Sequence, residues 1–191
     1  MADERASAPS LIVIGAICGL AWAAGFRAYM VELVGVASRF EWGGTFGAIL
    51  LPGAIIGGLL GWAESLRRTG GARSWRWLAL APLIFGVAPL LRPGAVVELF
   101  TTGIGGAAPA VALLGIAGGY SISGLGPRWG RVALGVLVAV VLIGIAVTPA
   151  LIGGASLTLA EPRGAWVSVL VVSFLLVLIL ASSIPFRRVE R

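Results

Sequence analysis

The residues able to do chemistry in this 191-residue chain are few and narrow in type. All 14 basic residues are arginine, eight residues are acidic, and Lys, His, Asn and Gln are absent. Without histidine the chain lacks the commonest general base and the commonest metal ligand. A lone cysteine, Cys18, rules out an intrachain disulfide and a cysteine metal site, and is expected to be a small packing residue in its apolar run. No Ser–His pair can form, and no phosphate-binding loop with its lysine exists. The run Gly103-Ile104-Gly105-Gly106 lacks the strand–helix unit of a dinucleotide fingerprint. No catalytic residue, cofactor or metal ligand is therefore expected.

What remains is a small set of polar groups inside or beside apolar segments: Arg27, Glu32, Glu98 and Tyr120. Arg27 lies in the apolar segment 10–35, roughly 25 Å from its inner end at ~1.5 Å rise per residue. A guanidinium at membrane depth is costly unless it is paired or reaches water. Two readings follow. In one, Arg27 snorkels to the outer headgroups beside Tyr29. In the other it faces the bundle and pairs with an acid or an anionic ligand. Glu32 is the acid closest along the chain, but an i, i+5 spacing turns it off the same helical face. Glu98, and less easily Glu41, are the acids expected to reach Arg27 from neighbouring segments. An outward-facing vestibule of Arg27, Glu32, Glu98 and Tyr120 is thus a candidate polar site, with helix-to-helix hydrogen bonding as the plainer role for Tyr120. No two acids share a segment, which argues against paired-carboxylate chemistry.

The elements that carry these groups are dictated by composition. Hydrophobic residues make up 59% of the chain, charged residues 12%, and the mean hydropathy is +1.03. Soluble domains carry about 25% charged residues, so a water-soluble fold of this length could not hide so much apolar surface. Lipid is the expected solvent, and helices are the expected way to satisfy the backbone in it. Six apolar segments can be delimited, at 10–35, 44–63, 77–91, 105–125, 132–150 and 165–184. The third is short and carries Pro82 and Pro89, which makes a kinked or re-entrant element an alternative there. The first is expected to be retained as a span, since Asp3-Glu4-Arg5 ahead of it is not the net-basic start of a signal peptide. Fold class is then an all-α, polytopic transmembrane helix bundle forming one domain over residues 1–191.

Charge sets the orientation. Placing both termini and the second and fourth connections on one side gathers ten arginines there and leaves three on the other, with Arg27 inside the first segment. Arginine-rich short loops stay cytoplasmic, so a plasma (inner) membrane protein with both termini inside is expected. The net charge of +6 is thereby a membrane signal, and no basic module exists to bind nucleic acid. The connection 64–77 mixes Arg67, Arg68, Arg73 and Arg76 with Trp75 and Trp77. It reads as a basic anchor on anionic lipids with an aromatic belt, or as a docking surface for a cytoplasmic partner.

Small residues suggest how the helices pack. Gly53, Gly57 and Gly61 recur at four-residue spacing, and Gly15 with Gly19 and Gly115 with Gly119 repeat the pattern. Such faces let helix backbones approach closely. They imply a central cluster of the first, second and fourth segments, with the Val/Leu/Ile-dense fifth and sixth outside. The glycine face serves packing within the chain or a homo-oligomeric or other membrane-protein seam. An echo of Val31-Glu32-Leu33 in Val97-Glu98-Leu99 hints at two inverted halves, as in some transporters.

Gly25-Phe26-Arg27-Ala28-Tyr29-Met30, followed by Phe40-Glu41-Trp42-Gly43-Gly44-Thr45, resembles a family of small uncharacterised actinobacterial multi-span integral membrane proteins. Val31 stands where that pattern has a second arginine, and Ser38-Arg39 where it has a Pro–acid pair. The resemblance implies a multi-span fold and an actinobacterial plasma membrane, and carries no activity. The expected function is a non-enzymatic membrane component that packs with itself or with other membrane proteins, the alternative being a small transporter or channel with the vestibule around Arg27.

Overall fold

A computed structural model describes residues 7–35, 38–70, 73–91, 94–95, 97 and 107–187. These residues form an all-helical bundle. The main elements are α1 (Ala8–Val34), α2 (Leu51–Arg68), α3 (Leu83–Val87), α4 (Ala107–Ile122), α5 (Arg128–Gly153) and α6 (Pro162–Ser182). Among the described residues, four helices are long and apolar enough to cross a membrane: Ala8–Val34, Trp42–Arg68, Arg128–Leu157 and Pro162–Phe186. Trp75–Leu91 and Ala107–Ile122 are shorter apolar helices.

Prolines shape the irregular stretches. Pro52 has no N–H to give to the carbonyl four residues back, and its ring crowds that turn. The chain ahead of it, Trp42–Leu50, is wound as a π-helix, a wider turn that relieves the crowding. The third segment is broken as its prolines suggest. A 3-10 helix at Arg73–Leu80 leads through Pro82 into α3, and a second 3-10 turn at Ala88–Leu91 contains Pro89. In α5, Pro149 frees the carbonyl of Ile145, and the Thr148 hydroxyl donates to that carbonyl at 2.7 Å. Side-chain repair of this kind lets a proline sit in an apolar helix.

Packing follows residue size. α1 and α2 form the tightest pair. A Cβ built on Gly57 would run into the Gly15 carbonyl, one on Gly19 into the Gly53 carbonyl, and one on Gly61 into the Leu11 carbonyl. Backbone therefore touches backbone along this seam, where dispersion has to supply the attraction that the hydrophobic effect supplies in water. A second glycine face, Gly115, Gly118 and Gly119 of α4, receives Leu178, Ile179 and Ser182 of α6.

That contact corrects the arrangement expected from composition. α6 is central: 44% of its apolar window is buried, against 11% for both α1 and the window that contains α5. Val167, Val171 and Leu175 fill the middle of the bundle together with Phe26, Phe85 and Leu114. Only α5 lies outside as expected, with Val138 and Pro149 its buried residues. Branched aliphatic density suits lipid and core equally, and the glycines of α4 needed large partners to fill the space they leave. Trp22 of α1 ties the core together, stacking on Phe26 at 5.2 Å and donating from Nε1 to the Phe174 carbonyl of α6 at 2.8 Å.

Cys18 is not a packing residue, because its side chain is exposed. Trp75 departs from the expected belt as well. It is buried with Leu78 against Ala63 of α2, while Trp77 stays exposed. Four tryptophans do mark the two ends of the bundle, each more than half exposed: Trp42 and Trp166 at one, Trp77 and Trp129 at the other, where the less exposed Trp62 packs edge-on against Trp77. Amphipathic rings concentrate at this level of a bilayer.

Candidate functional site

Arg27 sits about two turns before the end of α1 and is 7% exposed. Its side chain is enclosed by the protein and does not extend to the surface. After α1 the chain reverses, and residues 38–41 return across the guanidinium. Arg27 Nη1 donates to Ser38 Oγ at 3.0 Å and Nη2 to the Arg39 carbonyl at 2.6 Å. The Phe40 ring lies beneath the guanidinium carbon at 4.4 Å. Both oxygen acceptors are neutral and the ring contributes only its quadrupole. Among the described residues no carboxylate comes within 4.0 Å of Arg27.

The guanidinium forms one wall of a cavity of ≈ 320 Å³. Arg39 and Glu41 line its rim, and Gly44 and Thr45, in the first turn of the π-helical stretch, line it on the α2 side. Phe26, Met30, Ile49, Phe85 and Ala108 make the rest apolar. Thr45 is buried, and its Oγ1 accepts the Glu41 backbone N–H at 3.4 Å. This bond and the Thr45 N–H to Glu41 carbonyl bond of 2.8 Å set the start of the helix next to the cavity.

The other residues of the expected vestibule lie elsewhere. Glu32 turns away from Arg27 and pairs with Arg163 at the start of α6, at 2.9 Å, with both side chains about half exposed. They line a separate, more polar recess of ≈ 350 Å³ with Gly153 and Ser156. Tyr120 belongs to the opposite end of the bundle, where its ring packs edge-on against Phe186 at 5.6 Å. It stands thirteen positions beyond Ala107, which lines the Arg27 cavity, so roughly 20 Å separates the two levels along α4 at ~1.5 Å per residue. Glu98 lies outside the described residues. Tyr29, expected near the headgroups, is buried in the core between Phe26 and α5.

The opposite end handles its charges differently. Glu64 receives Arg67 in two parallel bonds of 2.8 Å each and Arg68 in one of 2.7 Å. Arg67 is therefore largely enclosed, at 11% side-chain exposure, and is no free anchor for lipid. Arg76 is exposed, and the Arg73 side chain lies outside the described residues. Arg131 of α5 donates to the Ser121 carbonyl at 3.1 Å, closing the last turn of α4. The signal for the Glu64 pairing was present as i, i+3 and i, i+4 spacing. The role of residues 38–41 had no comparable signal, since it depends on how the chain reverses.

Two further hollows are apolar. One of ≈ 230 Å³ runs along the glycine seam, with Glu64 at its end. A larger one of ≈ 620 Å³ opens between α1, α4, α5 and α6. Among the described residues no group of three or more Cys, His, Asp or Glu side chains is placed to hold a metal ion. No family model, curated protein or solved structure matches the chain.

Proposed function

We propose that this protein is a multi-pass, non-enzymatic component of the plasma membrane that packs with itself or with other membrane proteins. The observation that carries this reading is the outward direction of its apolar surface: the windows containing α1 and α5 bury only 11% of their residues. Whatever surrounds those helices is apolar, and the ≈ 620 Å³ cleft beside α5 gives a membrane-embedded partner a place to fit. The resemblance of the Arg27 and Trp42 regions to small actinobacterial membrane proteins belongs to the same proposal.

The orientation proposed has both termini cytoplasmic and six crossings. In support, Arg67, Arg68, Arg76, Arg128, Arg131 and Arg187 share one end of the bundle. The broken third segment makes contacts at both ends, Trp75 with Ala63 and Pro89 at the Arg27 cavity. Its two 3-10 pieces rise ~2.0 Å per residue instead of ~1.5 Å, which stretches the segment to roughly 30 Å, about one hydrocarbon thickness.

Affinity purification of the full chain from native membranes, followed by mass spectrometry, tests the packing role. Recovery of a stoichiometric membrane-protein partner or a homo-oligomer is expected, and a solitary monomer under mild detergent would sink the reading. For orientation, Arg76→Cys in a Cys18→Ser background should resist a membrane-impermeant maleimide in intact cells. Labelling there would invert the topology. The second reading, a small transporter or channel, is favoured by the cavity beside Arg27. Solute flux in proteoliposomes that disappears in an Arg27 variant would establish it.

A further inference from the structure

We infer that the Arg27 cavity is a binding site for a phosphate-type anion attached to an apolar body, the chemistry of a phospholipid headgroup. This goes beyond the packing role and stands on the cavity alone. A guanidinium has five N–H donors, and among the described residues Arg27 engages partners through two of its nitrogens, toward Ser38 Oγ and the Arg39 carbonyl. These fix its plane without neutralising it. Phe40 beneath the guanidinium holds the group flat and leaves its edge available. A cation so thoroughly buried costs several kcal/mol when left without a counter-charge. The cavity of ≈ 320 Å³ beside it falls in the size range of small-ligand sites, about 300–1,000 Å³.

Charge and lining narrow the ligand. Arg27, Arg39 and Glu41 border the cavity, a surplus of one positive charge that a phosphodiester monoanion would balance. Planar, pre-oriented guanidinium donors suit phosphate oxygens in a bidentate grip. The beginning of the helix at Gly44 and Thr45 adds the positive end of a helix dipole on the same wall. Away from this edge the lining is Phe26, Met30, Ile49 and Phe85, which suits methylene groups and offers nothing to a fully hydrated ion. The ligand therefore carries its phosphate toward Arg27 and its hydrocarbon toward α3 and α4.

Native mass spectrometry of the full chain in detergent tests this, with phosphatidylglycerol, phosphatidylcholine and inorganic phosphate as separate probes. The variants are Arg27→Gln, which removes the charge, and Ala108→Phe, which fills the cavity and leaves Arg27 in place. Phosphatidylglycerol should be retained by the wild type at least about tenfold more than by either variant, the loss expected for one charge-assisted contact. Phosphatidylcholine, whose choline brings a second cation near Arg39, should bind more weakly. Retention unaffected by inorganic phosphate assigns the site to lipid. Variant-sensitive binding of inorganic phosphate alone assigns the same anion site to a soluble ligand. Equal retention of every probe by the wild type and Ala108→Phe overturns the inference, and this comparison stands even if Arg27→Gln fails to fold.

Discussion

Two arginines near opposite ends of the bundle are nearly equally enclosed, yet their surroundings differ in kind. Arg67 is held by the carboxylate of Glu64, three residues earlier on the same helix, which also takes Arg68. Arg27 is held by a hydroxyl, a carbonyl and an aromatic face, with a cavity beyond. One cation shares a carboxylate of its own helix with a neighbouring arginine. The other is positioned by neutral groups, with no carboxylate within 4.0 Å among the described residues. Burial by itself does not separate a structural arginine from a binding one; the identity of its acceptors does.

Both ends are held in register by the glycine seam between α1 and α2, so the largest effect is expected there. Gly57→Leu would drive a side chain into the Gly15 backbone, which cannot rotate away. A cost of about 3 kcal/mol or more is expected from overpacking against main chain. Size-exclusion chromatography in detergent should show loss of the monodisperse species, and a normal profile would mean that the seam is looser than described.

Next in size is the Glu64 cluster. Glu64→Ala leaves Arg67 enclosed without its carboxylate. Partial solvent access reduces the penalty from the fully buried value to about 1–2 kcal/mol. Thermal unfolding in detergent should shift down by several degrees, and an unchanged midpoint would show that Arg67 has an equivalent acceptor. Arg27→Ala sharpens the contrast. It removes two hydrogen bonds but also removes a buried charge that contacts no carboxylate among the described residues, so the net change expected is under about 1 kcal/mol. A loss larger than that of Glu64→Ala would mean that Arg27 is a structural ion-pair member after all. Smallest of all is Arg163→Ala, which breaks the exposed pair with Glu32. Exposed pairs contribute about 0–1 kcal/mol, and a melting shift of more than a few degrees would assign that recess a greater role.

Much of the fold was legible along the chain. The apolar segments, the helical class and the break around Pro82 and Pro89 all follow from local composition. So did the exclusion of histidine- and cysteine-based chemistry. The site was legible in one residue only. Arg27 could be singled out because a cation within an apolar run needs an explanation, but Glu32 and Tyr120 shared with it nothing beyond polarity. Glu32 found Arg163, and Tyr120 found Phe186, through contacts between elements far apart in sequence. Ser38 and Phe40 are near Arg27 in sequence, yet their contact with it needs the reversal after Gly35, whose path no periodicity encodes.

Sequence alone determined the solvent of this protein, its helical form and the uneven spread of its arginines, since each depends on local hydropathy and charge. Tertiary structure decided that α6 is central, that the glycine face of α2 is closed by α1, and that Arg27 opens onto a cavity with no carboxylate within 4.0 Å of it among the described residues. Those outcomes depend on which surfaces meet, and a valine facing lipid reads the same as a valine facing a neighbouring helix until the neighbour is in place.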